Sequence, residues 1–305
     1  MHGTVSNDET IGWGFVGASL DCSGTGRGER YAVYALKDAG IVDKLNVYDA
    51  NDVGAAIDDS NRDSDTGVVG VEQIRSASLE IRSAVEAVLK RGARPFVVGG
   101  DCIILVGAIA AAKKRFGRLG LAFVDGHLDY FDGETSPSGE AADMDLAFVT
   151  GHGPVGLKNL AGTPPIVEPG DVVVMGHRPD PDEGEGPREE DLVDERIQLV
   201  EAPAIKRGNP EALGLYVAER LEAQAGRFWL HFDVDAFDQE DMPAVTYPLP
   251  DGLGWEHIEA LLRPLTQSSA LVRLSVADFV PDKDPDGRYA RQLVEMLVDL
   301  LEVRS

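Results

Sequence analysis

Three segments of the chain place carboxylates directly after a run of apolar residues. In an extended segment, residues i and i+2 point to the same side. A segment of the form Asp-x-His-x-Asp therefore turns three polar side chains to one side, and Asp-x-Asp turns two. The five side chains brought together in this way are Asp125, His127, Asp129, Asp233 and Asp235, and the third segment ends in Asp101-Cys102.

Four carboxylates at short range would suppress one another's ionisation unless a cation lay between them. A divalent ion removes that conflict, and oxygen-rich ligation with an imidazole suits Mn²⁺ or a similar ion. Any single Asp could instead cap a helix or line a turn. Both patterns together, each at the end of a predicted strand, favour a metal site.

The elements that must position these residues alternate between strands and helices. Short apolar runs rich in β-branched and aromatic residues are typical of buried strands, and longer segments show helical periodicity. The predicted strands are 11–19, 95–99, 121–124, 171–175, 228–233 and 271–279. The predicted helices are 71–91, 210–224 and 287–303.

This alternation predicts an α/β fold: one three-layer α/β/α domain over residues 1–305, with a doubly wound, mainly parallel sheet. No repeat and no Pro- or Ser-rich linker divides the chain, and the Pro- and Gly-rich stretch 162–186 is interpreted as an internal excursion. Such sheets bind ligands at the carboxyl ends of their strands, which is where the carboxylates lie.

The bulk composition restricts the partners. The formal net charge is −25, which disfavours nucleic acid and anionic membrane surfaces and is compatible with cationic small molecules. Only two cysteines occur, Cys22 and Cys102, so a disulfide framework is not expected. Without a signal peptide pattern or an apolar run of membrane-spanning length, a cytoplasmic protein is predicted.

The three segments together resemble the signature blocks of the ureohydrolase family, which includes arginase, agmatinase, guanidinobutyrase and formimidoylglutamase. The family typically shows GGDH, DAHxD and DxDxxDP in this order. The resemblance extends through 11–41 and 243–253 and so covers nearly the whole chain. The corresponding residues here are Gly99-Gly-Asp-Cys102, Asp125-Gly-His-Leu-Asp129 and Asp233-Val-Asp-Ala-Phe-Asp238-Gln239.

The resemblance implies an arginase-like fold and two divalent metal ions, with Mn²⁺ expected first, whose bridging hydroxide attacks a guanidinium carbon and releases urea. It implies that Asp125 and Asp233 bridge the ions. It also implies that Asp129 completes one metal's ligands and steers the hydroxide, while His127 and Asp235 complete the other. Relatives are commonly homo-oligomers, trimers or hexamers, so a homo-oligomer is expected.

One departure from the pattern affects the metal. Cys102 stands where the family has the His of GGDH. As a thiolate it would be a softer ligand that favours Zn²⁺ or Fe²⁺ over Mn²⁺. As a neutral buried thiol it would leave one ion weakly held or absent. Both alternatives remain open at the level of sequence.

A second departure affects the substrate loop, 131–145. The family's proton-shuttle His falls on Ala142, and His152 is a weak candidate to replace it. Ser138, Glu140 and Asp143 are the candidate substrate-binding residues. With Asp145 they make the loop acidic, which suits a cationic substrate tail; a solvated acidic loop is the alternative.

A third departure concerns the family's late Glu, which holds the guanidinium. Asp278 is the best candidate to replace it, and Asp282 is the alternative. These departures predict an amidinohydrolase acting on an unusual guanidino compound, not plain arginine. The competing hypothesis is a non-catalytic relative with a degraded metal site. A nucleotide-binding loop at Gly24–Gly28 is only weakly indicated, because the spacing fits neither common phosphate-binding motif.

Overall fold

The structure is a computed structural model that describes residues 12–55, 57–178 and 187–302. Its strands are β1 Trp13–Ala18, β2 Tyr48–Val53, β3 Arg94–Gly99, β4 Gly120–Val124, β5 Val172–Met175, β6 Gln198–Val200, β7 Phe228–Asp233 and β8 Leu271–Ala277. Its helices are α1 Ala32–Asp38, α2 Ile41–Lys44, α3 Val71–Lys90, α4 Ile104–Phe116, α5 Asp145–Val149, α6 Val155–Lys158, α7 Ala202–Arg207, α8 Pro210–Ala225, α9 Trp255–Gln267 and α10 Arg288–Leu301.

The strands form one eight-stranded sheet in the order β2-β1-β3-β8-β7-β4-β5-β6, and all pairings between these strands are parallel. Apolar side chains of α3, α4 and α5 pack on one face of the sheet. Those of α1, α2 and α7 to α10 pack on the other. The central strands are buried on both faces, which is why they appear as continuous apolar runs in the sequence. The predicted α/β fold is confirmed.

The strand register brings the polar residues to one edge. Val124 on β4 pairs with Phe232 on β7, and Phe232 pairs with Val276 on β8. The residues that follow these strands, Asp125 and Asp278, therefore end beside Asp233. Four adjacent strands, β3, β8, β7 and β4, thus deliver their carboxyl ends to one place.

The structure differs from the sequence prediction at several boundaries. The last strand ends at Ala277 and not at residue 279, because Asp278 turns the chain with φ 70. Residues 11, 179–186 and 303 of the predicted segments lie outside the described residues. Two strands, β2 and β6, were not predicted; they form the edges of the sheet and are partly polar. The helices α4 and α9 were not predicted either.

No helix in the described ranges is both long enough and apolar enough to cross a membrane.

Gly100 is the position where the backbone leaves least room beside the site. A Cβ there would lie 1.5 Å from the Leu20 carbonyl oxygen. We expect Gly100→Ala to lower the free energy of unfolding by about 3 kcal/mol, because a backbone clash cannot be relieved by a rotamer change. Gly12→Ala, with no atom within 4 Å of the new Cβ, is the matched control. Urea denaturation measures both, and equal stability of the two variants would contradict the expectation.

Candidate metal centre

The carboxyl ends of β3, β8, β7 and β4 open into a cavity of about 290 Å³. The chain leaves each strand through a tight turn, so that the polar side chains point into the cavity. After β7, a 3-10 turn at Val234–Ala236 directs Asp235 back toward Asp233, whose Oδ1 accepts a hydrogen bond of 2.6 Å from the Asp235 amide. After β4, the His127 amide donates to Asp125 Oδ1 at 2.6 Å.

The predicted ligand residues converge at the base of this cavity. Potential ligand atoms of Asp125, His127 and Asp129 lie within 4.8 Å of one another, and so do those of Asp125, Asp233 and Asp235. Asp125 belongs to both groups. The spacing pattern read from the sequence therefore corresponds to a real cluster in space.

The carboxylates of this cluster carry strongly raised pKa values. Burial, with the charge of Asp235 next in importance, raises the pKa of Asp125 to about 8. Burial and the nearby carboxylates raise the pKa values of Asp129, Asp233 and Asp278 well above the ordinary value. Like charges in a site of low dielectric cannot all ionise without a compensating cation.

Within the cluster His127 also lies near Asp125, but His127 and Asp235 form the closer ion pair. Their Nδ1 and Oδ2 atoms are 2.8 Å apart. Burial opposes both charges, but Asp235 raises the pKa of His127 to about 10, and His127 lowers the pKa of Asp235 to about 2. Arg178, whose Nη2 donates to the Asp235 carbonyl at 2.9 Å, adds positive charge on the same side.

Cys102 lies on the opposite side of the cluster. Its thiol donates to Asp233 Oδ2 and is 3.7 Å from Asp125 Oδ2. The Nε2 atom of His231 is 3.4 Å from the sulfur. Burial and the charge of Asp233 raise the pKa of Cys102 well above its ordinary value, so the uncomplexed thiol is neutral.

The residues fit a pair of divalent ions. A second observation is that Asp145 adds a further fully buried carboxyl group, whose pKa is raised well above its ordinary value by burial and by the charge of Asp125. Negative charge at the cluster thus exceeds the positive charge of His127 and Arg178. The donor set is mainly carboxylate oxygen with imidazole, and the Cys102 sulfur is the one soft atom.

The predicted substrate loop surrounds the cavity mouth, but its acidic groups are already engaged. Ser138, Glu140 and Asp143 all line the cavity. Asp143 Oδ2 accepts a hydrogen bond of 2.7 Å from Ser138, with a second from Ser136. Burial and the neighbouring Glu140 charge contribute to raising the pKa of Asp143 to about 6, although the two serine hydrogen bonds lower it.

Glu140 is bound by a cation of the same chain. Arg27 holds it with two hydrogen bonds of 2.5 and 2.6 Å, and the guanidinium carbon lies 5.0 Å from the centre of the Tyr247 ring. The Glu140 carboxylate is therefore neutralised at the mouth. Asp145, which was counted with the acidic loop, is instead fully buried near Asp129, so only part of the loop lines the cavity.

Burial and position in the cavity lining distinguish between the alternative candidates for catalysis. Asp278 is buried and lines the cavity, whereas Asp282 is exposed and lies outside the described lining. Ala142, onto which the resemblance places the family's shuttle His, lines the cavity, and the exposed His152 does not belong to that lining. Asp278 is thus the candidate that geometry favours.

The glycine-rich turn 24–28 does not form an anion site. Its surroundings are acidic, because Asp21, Glu29 and Asp101 all line the cavity next to it. The Gly28 amide donates to Asp21 Oδ2 at 3.2 Å. A carboxylate thus takes the position that a phosphate would need, which argues against the nucleotide-binding hypothesis.

Several buried polar residues at the site were not assigned a role from sequence. Glu189 accepts hydrogen bonds from the Leu128 and Tyr130 amides and so fixes the loop that carries Asp129. Burial raises its pKa to about 7. His231 lies in a segment selected for its closely spaced carboxylates and histidine, but the residue itself was given no role. It occupies a buried strand position among aromatic residues, which is typical of a core residue. Other buried polar residues at or near the site without an assigned role include Asp101, Asp145, His177 and Arg178.

Sequence comparisons identify relatives over nearly the full length. A model described as the arginase family matches residues 12–302. Arginase from Bacillus caldovelox is 28% identical over 293 residues, covering 93% of this chain and 96% of the relative. Arginase from Bacillus subtilis (strain 168) is 26% identical over 302 residues, covering 96% and 98%.

Solved structures agree in fold. The structure of Bacillus caldovelox arginase has a TM-score of 0.88 at 24% identity, covering 96% of this chain and 99% of that one. The agmatine ureohydrolase of Thermoplasma volcanium has a TM-score of 0.65 at 19% identity, covering 95% and 88%. The formimidoylglutamase of Bacillus subtilis has a TM-score of 0.71 at 14% identity, covering 96% and 88%.

The raised pKa values predict how the metal-free protein responds to pH. Asp125, with a pKa of about 8, and His127, with one of about 10, keep protons in the folded state that the unfolded chain has lost. Folding stability should therefore fall as pH rises from about 6.5 to about 8.5. Burial lowers the pKa of His231 to about 3, which acts with the opposite sign but only below about pH 6.5.

Calorimetry of the metal-free protein across this window should show the melting temperature falling by several degrees. Asp125→Asn should flatten the slope, because it removes one of the raised groups. A melting temperature that rises across the window would contradict the charge distribution described for the cluster.

Proposed function

The chain belongs to the arginase family, and from this premise we propose that it hydrolyses a guanidino or amidino compound with release of urea, in the cavity above β4, β7 and β8. The observation that carries the proposal is the buried cluster in which Asp125 belongs to two adjacent groups of potential ligands. A buried cluster of carboxylates destabilises a fold unless cations compensate its charge. An enzyme of this family would use those cations in catalysis.

The proposed ligands are Cys102, Asp125, His127, Asp129, Asp233 and Asp235. A bound pair of divalent ions would supply a strong nucleophile at neutral pH by lowering the pKa of water, which a poorly electrophilic guanidinium carbon requires. Mn²⁺ is the ion expected first, and Zn²⁺ or Fe²⁺ is the alternative because of Cys102. Asp129 is proposed to orient the attacking water and to hold its proton.

Asp278 is proposed to hold the substrate guanidinium. Its carboxylate lies at the end of β8 beside Asp233, and it is buried in the cavity lining. A carboxylate can pair with a guanidinium through two parallel hydrogen bonds, which fixes both the position and the plane of the group. Asp278 would thus present the guanidinium carbon to the metal side of the cavity.

The substrate is proposed to differ from plain arginine, although the named relatives are arginases. Support comes from the cavity mouth: Ala142 stands at the shuttle position, and Glu140 holds a guanidinium, that of Arg27, against Tyr247. Glu140 can therefore accommodate a planar cation. A substrate with a cationic tail would reach it by displacing Arg27.

A non-catalytic relative remains the second hypothesis. It is favoured by the hydrogen bond between the Cys102 thiol and Asp233, which shows that these two groups can be satisfied without a metal ion. Metal content per chain, measured by elemental analysis after loading with Mn²⁺, Zn²⁺ or Fe²⁺ and dialysis, separates the two hypotheses. About two ions per chain supports the hydrolase, and none with any metal supports the non-catalytic relative.

We expect Asp125→Asn and Asp233→Asn each to abolish metal retention and urea release, because each removes one of the proposed carboxylate ligands. The measurements are elemental analysis and a colorimetric urea assay over a panel of guanidino compounds. Glu222→Gln, on the exposed side of α8, is a matched control that should change neither. Full metal content in either Asp variant would refute the ligand assignment.

Arg27→Ala should lower KM for a guanidino substrate with a cationic tail by roughly 5- to 10-fold, since the substrate no longer has to displace the internal pair. KM for a substrate with a carboxylate tail should not fall. Steady-state kinetics with agmatine and arginine provides the comparison. An equal effect on both substrates would show that Glu140 does not bind the tail.

A further inference from the structure

An imidazole from inside the sheet faces the only thiol of the metal cluster. His231 lies on β7, two residues before Asp233, so the strand turns both side chains to the same side. It is fully buried, stacked on Phe123 with ring centres 5.1 Å apart. Its Nε2 atom points to Cys102 Sγ at 3.4 Å. A buried imidazole aimed at a thiol in a metal cluster needs a reason beyond packing.

The distances agree with a shared metal ligand set. For Zn–S of about 2.3 Å and Zn–N of about 2.0 Å in a tetrahedron, the sulfur and nitrogen lie roughly 3.5 Å apart. The observed separation is 3.4 Å, and Cys102 Sγ lies 3.7 Å from Asp125 Oδ2. Potential ligand atoms of Cys102, Asp125 and His231 lie within 4.8 Å of one another. The closer contact with Asp233 is the thiol's own hydrogen bond, which disappears when the thiol proton leaves.

The second nitrogen of the imidazole is held as metal-binding imidazoles require. His231 Nδ1 is 2.7 Å from Ser275 Oγ, and the same hydroxyl accepts from Trp229 Nε1 at 2.9 Å. A hydroxyl oxygen has two lone pairs, so Ser275 can accept from both N–H groups. That tautomer leaves Nε2 without a proton, facing Cys102, and a hydrogen bond on the far nitrogen fixes the ring orientation.

We propose that Cys102 and His231 are joint ligands, with Asp125, of one of the two ions, and that this thiolate–imidazole site prefers a softer ion, Zn²⁺, Fe²⁺ or Co²⁺, than the oxygen-rich site beside it. The inference rests on the proposed function and deepens it. The His of the family's GGDH motif is absent at residue 102, and His231 on β7 supplies an imidazole close to that position. The metal displaces one proton, from the thiol, as the Cys102 sulfur becomes a thiolate.

The test uses the full chain, stripped by chelation and reloaded with Co²⁺, whose thiolate complexes absorb in the near ultraviolet. The wild type should show a thiolate-to-cobalt charge-transfer band. Cys102→Ser should lose it, and Cys22→Ser, which removes the other thiol, should keep it. Bound Co²⁺ without the band would overturn the proposal while leaving the proposed function intact, whereas no binding of any divalent ion would overturn both.

His231→Asn tests the imidazole itself, because Asn keeps a polar group toward Ser275 but removes the Nε2 atom. Affinity for the thiolate-bound Co²⁺ should fall by about 100-fold. Circular dichroism establishes that the variant is folded. Unchanged affinity in a folded variant would show that His231 is a packed neighbour of Cys102 and not a ligand.

A third measurement does not depend on a loss of binding. Most protein sites already hold Zn²⁺ more tightly than Mn²⁺, so the preference of the wild type alone decides nothing. The double variant Cys102→His, His231→Ser returns the imidazole to the end of β3 and removes the thiol. Its Zn²⁺-to-Mn²⁺ affinity ratio should fall by about 100-fold relative to the wild type. A ratio that stays the same would overturn the proposal.

Discussion

Repulsion among buried carboxylates is the constraint on which the rest of this structure depends. Asp125, Asp129, Asp233 and Asp278 meet where water is largely excluded, and among the described residues His127 and Arg178 contribute offsetting positive charge. Their raised pKa values show that the folded protein relieves this repulsion by binding protons. Either protons or metal ions must neutralise the cluster, so occupation by metal and protonation are competing states of the same site.

The sheet makes this arrangement possible because its rigidity is independent of the cluster. The central strands are apolar on both faces and packed between two layers of helices, which supplies the folding free energy away from the charges. Parallel register then fixes Asp125, Asp233 and Asp278 side by side with no freedom to separate. Glu189 and Arg178 tie the following loops to the same edge through backbone contacts. The packing of the sheet thus keeps these carboxylates close together despite their repulsion.

The sequence predicted the features that follow from local periodicity. It did not predict those that depend on contacts between residues far apart in the chain. Asp125, His127 and Asp129 could be grouped because alternation along one extended segment places them together. His231 was not assigned because its role depends on Cys102, which lies 129 residues away in the chain. Asp145 appeared to be an ordinary loop carboxylate, and only the fold shows it buried below Asp129. The edge strand Tyr48–Val53 escaped prediction because half of its residues are polar.

The positions of Cys102 and His231 also explain how a site that lacks one of the family's ligands can still bind metal. Replacing the family's His by Cys would remove a neutral ligand and add a thiol that costs energy to ionise in a buried cluster. An imidazole at residue 231 restores a nitrogen donor within reach of the same point, held by Ser275 and Trp229. A chain that had merely lost its metal would gain nothing from burying an imidazole, with its desolvation cost, at that position. The pair is therefore more consistent with a changed metal preference than with a lost one.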